Sequence, residues 1–307
     1  MKDLIIIGAG PAGMTAAIYG IRAGLDLILI ERLSPGGQVV NTYEVENYPG
    51  FVDPIRGWDL VSNMEKQARR LGVEIKSGEV VSVRKKSENG AFSVQLEDDG
   101  VLEAKSVIAA AGATYRKLDV PGVEEFVGKG ISFCATCDGA FFKDRIIAVI
   151  GGGNSALEEV HFLTKFAKKI YLIHRRDRLR ADKILQDRIF SSGKIEQYMD
   201  SVVESISGNG SVEMLSLKNL KTGKTAALDV NGVFILIGFD ANIDFLPDAV
   251  ISEEREVIVD MSMKTPLPGL FAAGDIRSGS KRQIVMAASD GATAAMEANE
   301  YIAGLKQ

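Results

Sequence analysis

Leu4-Ile-Ile-Ile-Gly-Ala-Gly-Pro-Ala-Gly13 is a short apolar run that enters a G-x-G-x-x-G turn. The run has the length of a buried strand, and residues 14–23 suit a helix that Gly24 can stop. Leu27-Ile-Leu-Ile-Glu31 then reads as a second strand ending in an acid. The same grammar returns 143 residues later (8 to 151): Ile147-Ala-Val-Ile-Gly-Gly-Gly-Asn-Ser-Ala156, a helix-compatible stretch over 157–167, and the strand Ile170-Tyr-Leu-Ile-His174. Gly8, Gly10, Gly13 and Glu31 map onto Gly151, Gly153, Ala156 and His174 at that single offset. One glycine turn before a helix is common. Two in register, each in strand-turn-helix-strand context, point to two dinucleotide sites, because the glycines let backbone N–H groups approach a pyrophosphate seated on a helix N-terminus. The predicted class is α/β, with two Rossmann-like dinucleotide-binding domains.

The two sites differ at the strand end. Glu31 can accept hydrogen bonds from both hydroxyls of an adenosine ribose that carries no phosphate. The second copy has no acid there and reads His174-Arg-Arg-Asp-Arg-Leu-Arg180. Elsewhere such a cluster would read as the solvated start of a basic helix. Beginning at the ribose position, its guanidinium forks suit a 2′-phosphate, which makes the second ligand NADPH. Further on, Thr265-Pro-Leu-Pro-Gly-Leu-Phe-Ala-Ala-Gly-Asp275 runs from a turn into a short apolar strand, and Asp275 taken alone reads as a helix cap. Arg282-Gln283 open the alanine-rich, helix-patterned stretch Ile284–Gly304.

The 307 residues, 46% hydrophobic with mean hydropathy of +0.07, suffice for about two domains with a sizeable core. Lys and Arg number 36 against 41 Asp and Glu, a formal charge of −5, which disfavours a general electrostatic grip on nucleic acid or anionic lipid. The N-terminal apolar run is too short for a signal peptide or a membrane span, so a cytoplasmic protein is expected. Two cysteines, Cys134 and Cys137, cannot build a secreted disulfide framework, and their spacing reads as a redox or metal pair. Zinc needs about four ligands, and the other soft candidates are His161, inside a helix, and His174, already at the ribose position, so no metal is expected. A C-x-x-C pair can close as a small disulfide that exchanges quickly when one thiol has a lowered pKa. Asp138 is either a turn residue before Gly139 or a proton shuttle for that exchange.

Taken together, Gly8-Ala-Gly-Pro-Ala-Gly13, Glu44-Val-Glu-Asn-Tyr-Pro-Gly-Phe51, Cys134-Ala-Thr-Cys-Asp-Gly139, Gly151-Gly-Gly-Asn-Ser-Ala156, His174-Arg-Arg176 with Arg180, and Phe271-Ala-Ala-Gly-Asp275 with Arg282-Gln283 resemble the low-molecular-weight thioredoxin reductases in order and spacing over essentially the whole chain. The resemblance implies an FAD domain over residues 1–114 and 243–307, interrupted by an NADPH domain over 115–242 that carries the redox-active disulfide. It implies that Gly8, Gly10, Ala12 and Gly13 face the FAD pyrophosphate, that Glu31 meets its ribose, and that Gly37, Gln38 and Asn47 lie toward the flavin. Val80 would touch the adenine through its backbone, Asp275 the ribityl chain, and Arg282, Gln283 and Ile284 the isoalloxazine. The NADPH contacts carry over to Gly153, Asn154, Ser155, Glu159, His174, Arg175, Arg176 and Arg180. Cys134, Cys137 and the acid/base Asp138 would pass electrons from NADPH through FAD to thioredoxin or a thioredoxin-like protein, in a homodimer. Relatives dock their partner on aromatic residues just after the Cys-Asp-Gly segment, and here Ala140 precedes Phe141 and Phe142. A ferredoxin–NADP reductase would share both nucleotide folds but have no use for the cysteines, and a non-catalytic redox sensor would react stoichiometrically where an enzyme turns over.

Overall fold

The computed structural model describes residues 1–42, 44–87 and 90–305. The chain divides into two compact units, Met1–Thr114 with Asp240–Gln307, and Tyr115–Phe239. The first unit runs β1 (Lys2–Ile7), α1 (Pro11–Arg22), β2 (Leu27–Glu31), α2 (Gly57–Arg70), β3 (Ile75–Ser77), β4 (Val80–Lys85), β5 (Phe92–Leu96) and β6 (Val101–Ala109). Strand β7 (Ala113–Tyr115) leads into the second unit. There follow α3 (Val123–Phe126), β8 (Ile131–Ser132), α4 (Ala135–Asp138), β9 (Ile146–Ile150), α5 (Asn154–Leu163), β10 (Lys169–Ile173), α6 (Lys183–Phe190) and β11 (Ile195–Tyr198). Strands β12 (Ser201–Gly208), β13 (Val212–Asn219), β14 (Thr225–Asp229) and β15 (Gly232–Ile235) complete it. Strand β16 (Phe239–Ala241), paired with β7, brings the chain back to β17 (Leu270–Ala272) and α7 (Ile284–Gly304).

In the first unit β3-β2-β1-β6 is parallel, and the long β6 is shared on its far side. Its first half pairs antiparallel with β5, and its last three residues pair parallel with β17. Side chains alternate across the strands. Leu4, Ile6, Leu27 and Leu29 enter one core with α1, α2 and α7, while Ile5, Ile7, Ile28 and Ile30 enter another with β5 and the segment after β16. Burial on both faces is why these strands read as unbroken apolar runs, each fully buried Leu or Ile contributing about 1.5–3 kcal/mol. The second unit repeats the device in a wholly parallel sheet, β11-β10-β9-β15-β8, joined by an antiparallel β12-β13-β14 sheet. Ala148, Ile150, Val233 and Ile235 face one core, Ile147, Val149 and Phe234 the other. Both units have the Rossmann-like arrangement.

Helix bounds move from the sequence pattern for local reasons. Helix α1 starts three residues early, at Pro11, whose fixed φ suits the first turn and whose missing N–H costs nothing there. Helix α5 starts at Asn154 and stops at Leu163, short of residue 167, where the Thr164 hydroxyl donates to the His161 carbonyl at 2.6 Å and competes with the helical ladder.

Candidate active site

The first turn is built by close backbone contacts. Gly8 has φ +101°, and a Cβ there would lie 2.4 Å from the Ala110 carbonyl oxygen, so both conformation and space demand glycine. Helix α1 follows with Gly10 as N-cap, no side-chain cap and no acid in its first turn, which leaves its leading N–H groups open to an anion. The Gly36 N–H donates to the Ala9 carbonyl, which draws Gly37 against Gly10: a Cβ on Gly10 would meet only Gly37 Cα, at 4.0 Å. Ala12 and Gly13 are buried in the first turn of α1, and Gln38 is exposed in the 3₁₀ turn Gly37–Asn41. The Glu31 carboxylate is fixed at the end of β2 by the backbone N–H groups of Ala9 at 2.7 Å and Leu33 at 2.9 Å.

Elements distant in sequence close this side of the unit. The Asn47 amide donates to Gln283 Oε1 at 3.1 Å, joining two of the expected flavin-side residues directly. Asp275 lies in the short 3₁₀ turn Gly274–Ile276. The Ser280 hydroxyl donates to Asp275 at 3.1 Å and accepts from the Arg282 N–H at 3.2 Å. Burial pushes the Asp275 carboxyl above its usual value, and the Ser280 bond and Arg282 charge pull it back. Behind the turn, Arg277 donates to both oxygens of the buried Asp290 in α7, at 2.7 and 3.0 Å, and the same carboxylate takes the Gly274 N–H at 3.1 Å. Ile284 opens α7 with Gln283 as its N-cap, and Val80 opens β4 opposite Leu96. The glycine cradle and the prefixed carboxylate fit the pyrophosphate and ribose of FAD.

In the second unit the loop after β10 folds back on the Gly151–Ala156 turn. The Gly152 carbonyl accepts the N–H groups of Arg180 at 2.7 Å and Ala181 at 3.1 Å, and Asn154 exchanges two hydrogen bonds with Asp182. Helix α5 has Gly153 as N-cap, no side-chain cap and no acid in its first turn. A Cβ on Gly153 would meet only the Arg180 guanidinium, at 4.0 Å. His174 is buried against the turn so closely that a Cβ on Gly152 would lie 2.5 Å from its Nδ1. Its buried Nε2 has no hydrogen-bond partner. Burial lowers the His174 pKa, and the charges of Arg180 and Arg176 lower it further, so the ring is neutral at pH 7. Arg175, Arg176 and Ser155 are exposed beside this turn. Open helix N–H groups, an orphaned ring nitrogen and three arginines fit a phosphorylated dinucleotide such as NADPH.

The same unit carries Cys134–Cys137 as a disulfide, with Cα atoms 5.4 Å apart across α4. Glu159, expected at the nucleotide, reaches from α5 to accept the Ala135 N–H at 2.7 Å, and so ties the nucleotide helix to the start of α4. Asp138 ends α4, and its Oδ2 accepts the Ser132 hydroxyl at 2.5 Å. Burial raises the Asp138 pKa above its usual value, opposed only by that hydrogen bond. The Cys134 Sγ lies 3.4 Å from the Thr136 hydroxyl. Of the two aromatic candidates, Phe142 packs edge-on against the buried Phe234 at 5.2 Å, whereas Phe141 is 43% exposed. No motif in the sequence marks Ser132, Ser280, Arg277 or Asp290. Gly152 lay inside the quoted motif with nothing in the sequence to show what would crowd it.

Comparison with known proteins agrees with this chemistry. The chain is 47% identical to a thioredoxin reductase of Listeria innocua over 99% of its own length and 95% of the relative's. It is 44% identical to the Bacillus subtilis thioredoxin reductase, covering 99% and 96% of the two chains. The crystal structure of thioredoxin reductase from Streptococcus pyogenes superimposes with a TM-score of 0.94 at 44% identity, over 99% of both chains. Residues 2–291 match the family described as pyridine nucleotide-disulphide oxidoreductase, and it is to this family that the chain belongs.

Proposed function

We propose that the protein is an NADPH-dependent thioredoxin reductase that carries electrons through FAD and the Cys134–Cys137 disulfide. The observation that carries the reading is the disulfide with its half-buried acid, Asp138, held in the same compact unit as a nucleotide turn armed with His174 and three arginines. The Gly8–Gly13 turn and Glu31 would hold FAD, which when bound would supply the hydride-accepting, two-electron chemistry that links NADPH to the disulfide. The chain's own part begins there. The S–S bond of Cys134–Cys137 breaks on gaining two electrons, and one thiolate attacks a sulfur of the thioredoxin disulfide. A mixed disulfide forms, the other cysteine of the pair resolves it, and Cys134–Cys137 closes again as thioredoxin leaves with two electrons and two protons. Asp138, its proton held more tightly than that of an exposed aspartate, serves as the acid that protonates a departing thiolate.

Phe141 is the ring proposed to meet thioredoxin, because Phe142 is committed to the core. Among the described residues no helix is long and apolar enough to cross a membrane. The same proposal takes the enzyme to be a cytoplasmic homodimer, which sedimentation equilibrium and cell fractionation test. The decisive assay follows NADPH oxidation by FAD-loaded protein with thioredoxin as acceptor. Catalytic turnover is expected, and Cys137→Ser should abolish it while NADPH still reduces an artificial one-electron acceptor. Stoichiometric oxidation, or thioredoxin turnover that survives Cys137→Ser, would overturn the reading.

A further inference from the structure

Ser132 ends β8, is 4% exposed, and places one hydroxyl at the meeting point of three groups. Its Oγ lies 2.5 Å from Asp138 Oδ2, 3.2 Å from the Cys134 carbonyl oxygen, and 3.1 Å from the Cys134 nitrogen, whose N–H it accepts. A hydroxyl has one proton and two lone pairs, so it cannot donate to both oxygens at once. We propose that Ser132 is a positioning residue whose hydroxyl turns between these two acceptors and so holds Asp138 in one place in both of its protonation states. When Asp138 is ionised, Ser132 donates to Oδ2 and accepts from Cys134 N–H. When Asp138 is protonated, its own O–H donates to Ser132 Oγ, the second lone pair keeps the Cys134 N–H, and the serine proton turns to the Cys134 carbonyl. No heavy atom has to move. Each proton lost or gained by Asp138 then changes the hydrogen bonding of the peptide that begins at the redox cysteine.

One neighbouring carboxylate, that of Glu159, meets the same peptide from its Ala135 side. Strands β8 and β15 and the 3₁₀ turn Gly139–Phe142 carry no titratable side chain. Helix α5, packed on α4, carries Glu158, Glu159 and His161, of which Glu159 is bonded to the Ala135 N–H. The neighbouring sulfurs are in the disulfide and do not titrate in this state. The role in the thiol step rests on the proposed use of Asp138 as its acid, but the hydroxyl exchange can be observed without any turnover.

Cys134–Ala135 is the one Cys-Ala bond in the sequence, so [1-¹³C]Cys with [¹⁵N]Ala labels that single peptide in the oxidised, FAD-loaded protein. A second sample with side-chain ¹³C-labelled Asp reports the Asp138 carboxyl, identified by its absence from Asp138→Asn. The Cys134 carbonyl resonance is expected to titrate with the same midpoint as the Asp138 carboxyl. In Ser132→Ala it should cease to follow that midpoint, and the Asp138 titration should move up by about one pH unit, because the ionised form loses a charge-assisted bond. Ser132→Thr should restore both, and Glu159→Gln should leave both in place. A wild-type Cys134 carbonyl that ignores the Asp138 titration, or that loses its response in Glu159→Gln, overturns the proposal, as does an Asp138 midpoint unmoved in Ser132→Ala. If the titrations couple as expected while Asp138→Asn leaves thioredoxin turnover unchanged, the hydroxyl exchange stands and the acid role of Asp138 fails.

Discussion

Asp138 keeps its proton to a higher pH than a solvated aspartate because burial disfavours its charge. With the folded-state pKa above the reference of 3.8, the ionised group costs stability, fully so above the folded value, and the cost vanishes as pH falls below 3.8. Asp138→Asn is therefore expected to raise, or at least preserve, the urea midpoint at pH 7.5, with the difference closing on acidification. The same variant should slow thioredoxin reduction by about 10²-fold or more while NADPH-driven reduction of an artificial acceptor stays intact. Phe141→Ala should raise the KM for thioredoxin roughly tenfold without touching reduction of a small disulfide dye. Gly152 shows where reading by residue type ends. The sequence marks it as one glycine of three, yet the constraint is the His174 ring that a new Cβ would meet at 2.5 Å. Gly152→Ala should displace that ring and weaken NADPH, measured as a raised KM with kcat at saturation little changed.

At the scale of elements, what the sequence discloses is what depends on local spacing. Both strand-turn-helix units, the acid ending β2 and the basic loop after β10 are visible because each is a contiguous pattern. The Arg277–Asp290 clamp is invisible because its partners sit in different elements, 13 residues apart, and neither belongs to a motif. Glu159, which the resemblance places at the nucleotide, also accepts the Ala135 N–H at 2.7 Å, a tie to α4 that no local spacing discloses. The clamp supports the turn that holds Asp275, and Asp290→Ala would leave the largely enclosed Arg277 charge without its partner. A loss of about 3–5 kcal/mol is expected from urea unfolding, together with weaker retention of FAD. In the loop after β10, replacing Arg175 and Arg176 together by alanine should weaken NADPH by tenfold or more, since each charge-assisted bond is worth roughly 1.5–3 kcal/mol. NADH, lacking the phosphate, should be used as before, and the ratio of the two kcat/KM values is the measurement.

The whole chain is one fold threaded through another. The first unit is assembled from sequence on both sides of the second, since β17 pairs with β6 and α7 packs on α1. The two crossings, β7 and β16, are paired, so their backbones run about 4.8 Å apart. Replacing 115–239 by a few Gly and Ser residues should therefore leave a soluble protein that binds FAD, detected by its flavin absorbance, and that no longer oxidises NADPH.

The two dinucleotide turns share a grammar but end in different hardware, and that difference sets how long each ligand stays. Glu31 is immobilised by two backbone N–H groups, so a ribose meeting it orders nothing new. Arg175 and Arg176 are exposed, and each long side chain stilled by a phosphate costs about 0.5–1.5 kcal/mol on binding. The first turn is built for a tenant and the second for a visitor: FAD is expected to survive gel filtration with the protein, while NADP⁺ should dissociate within a single catalytic cycle.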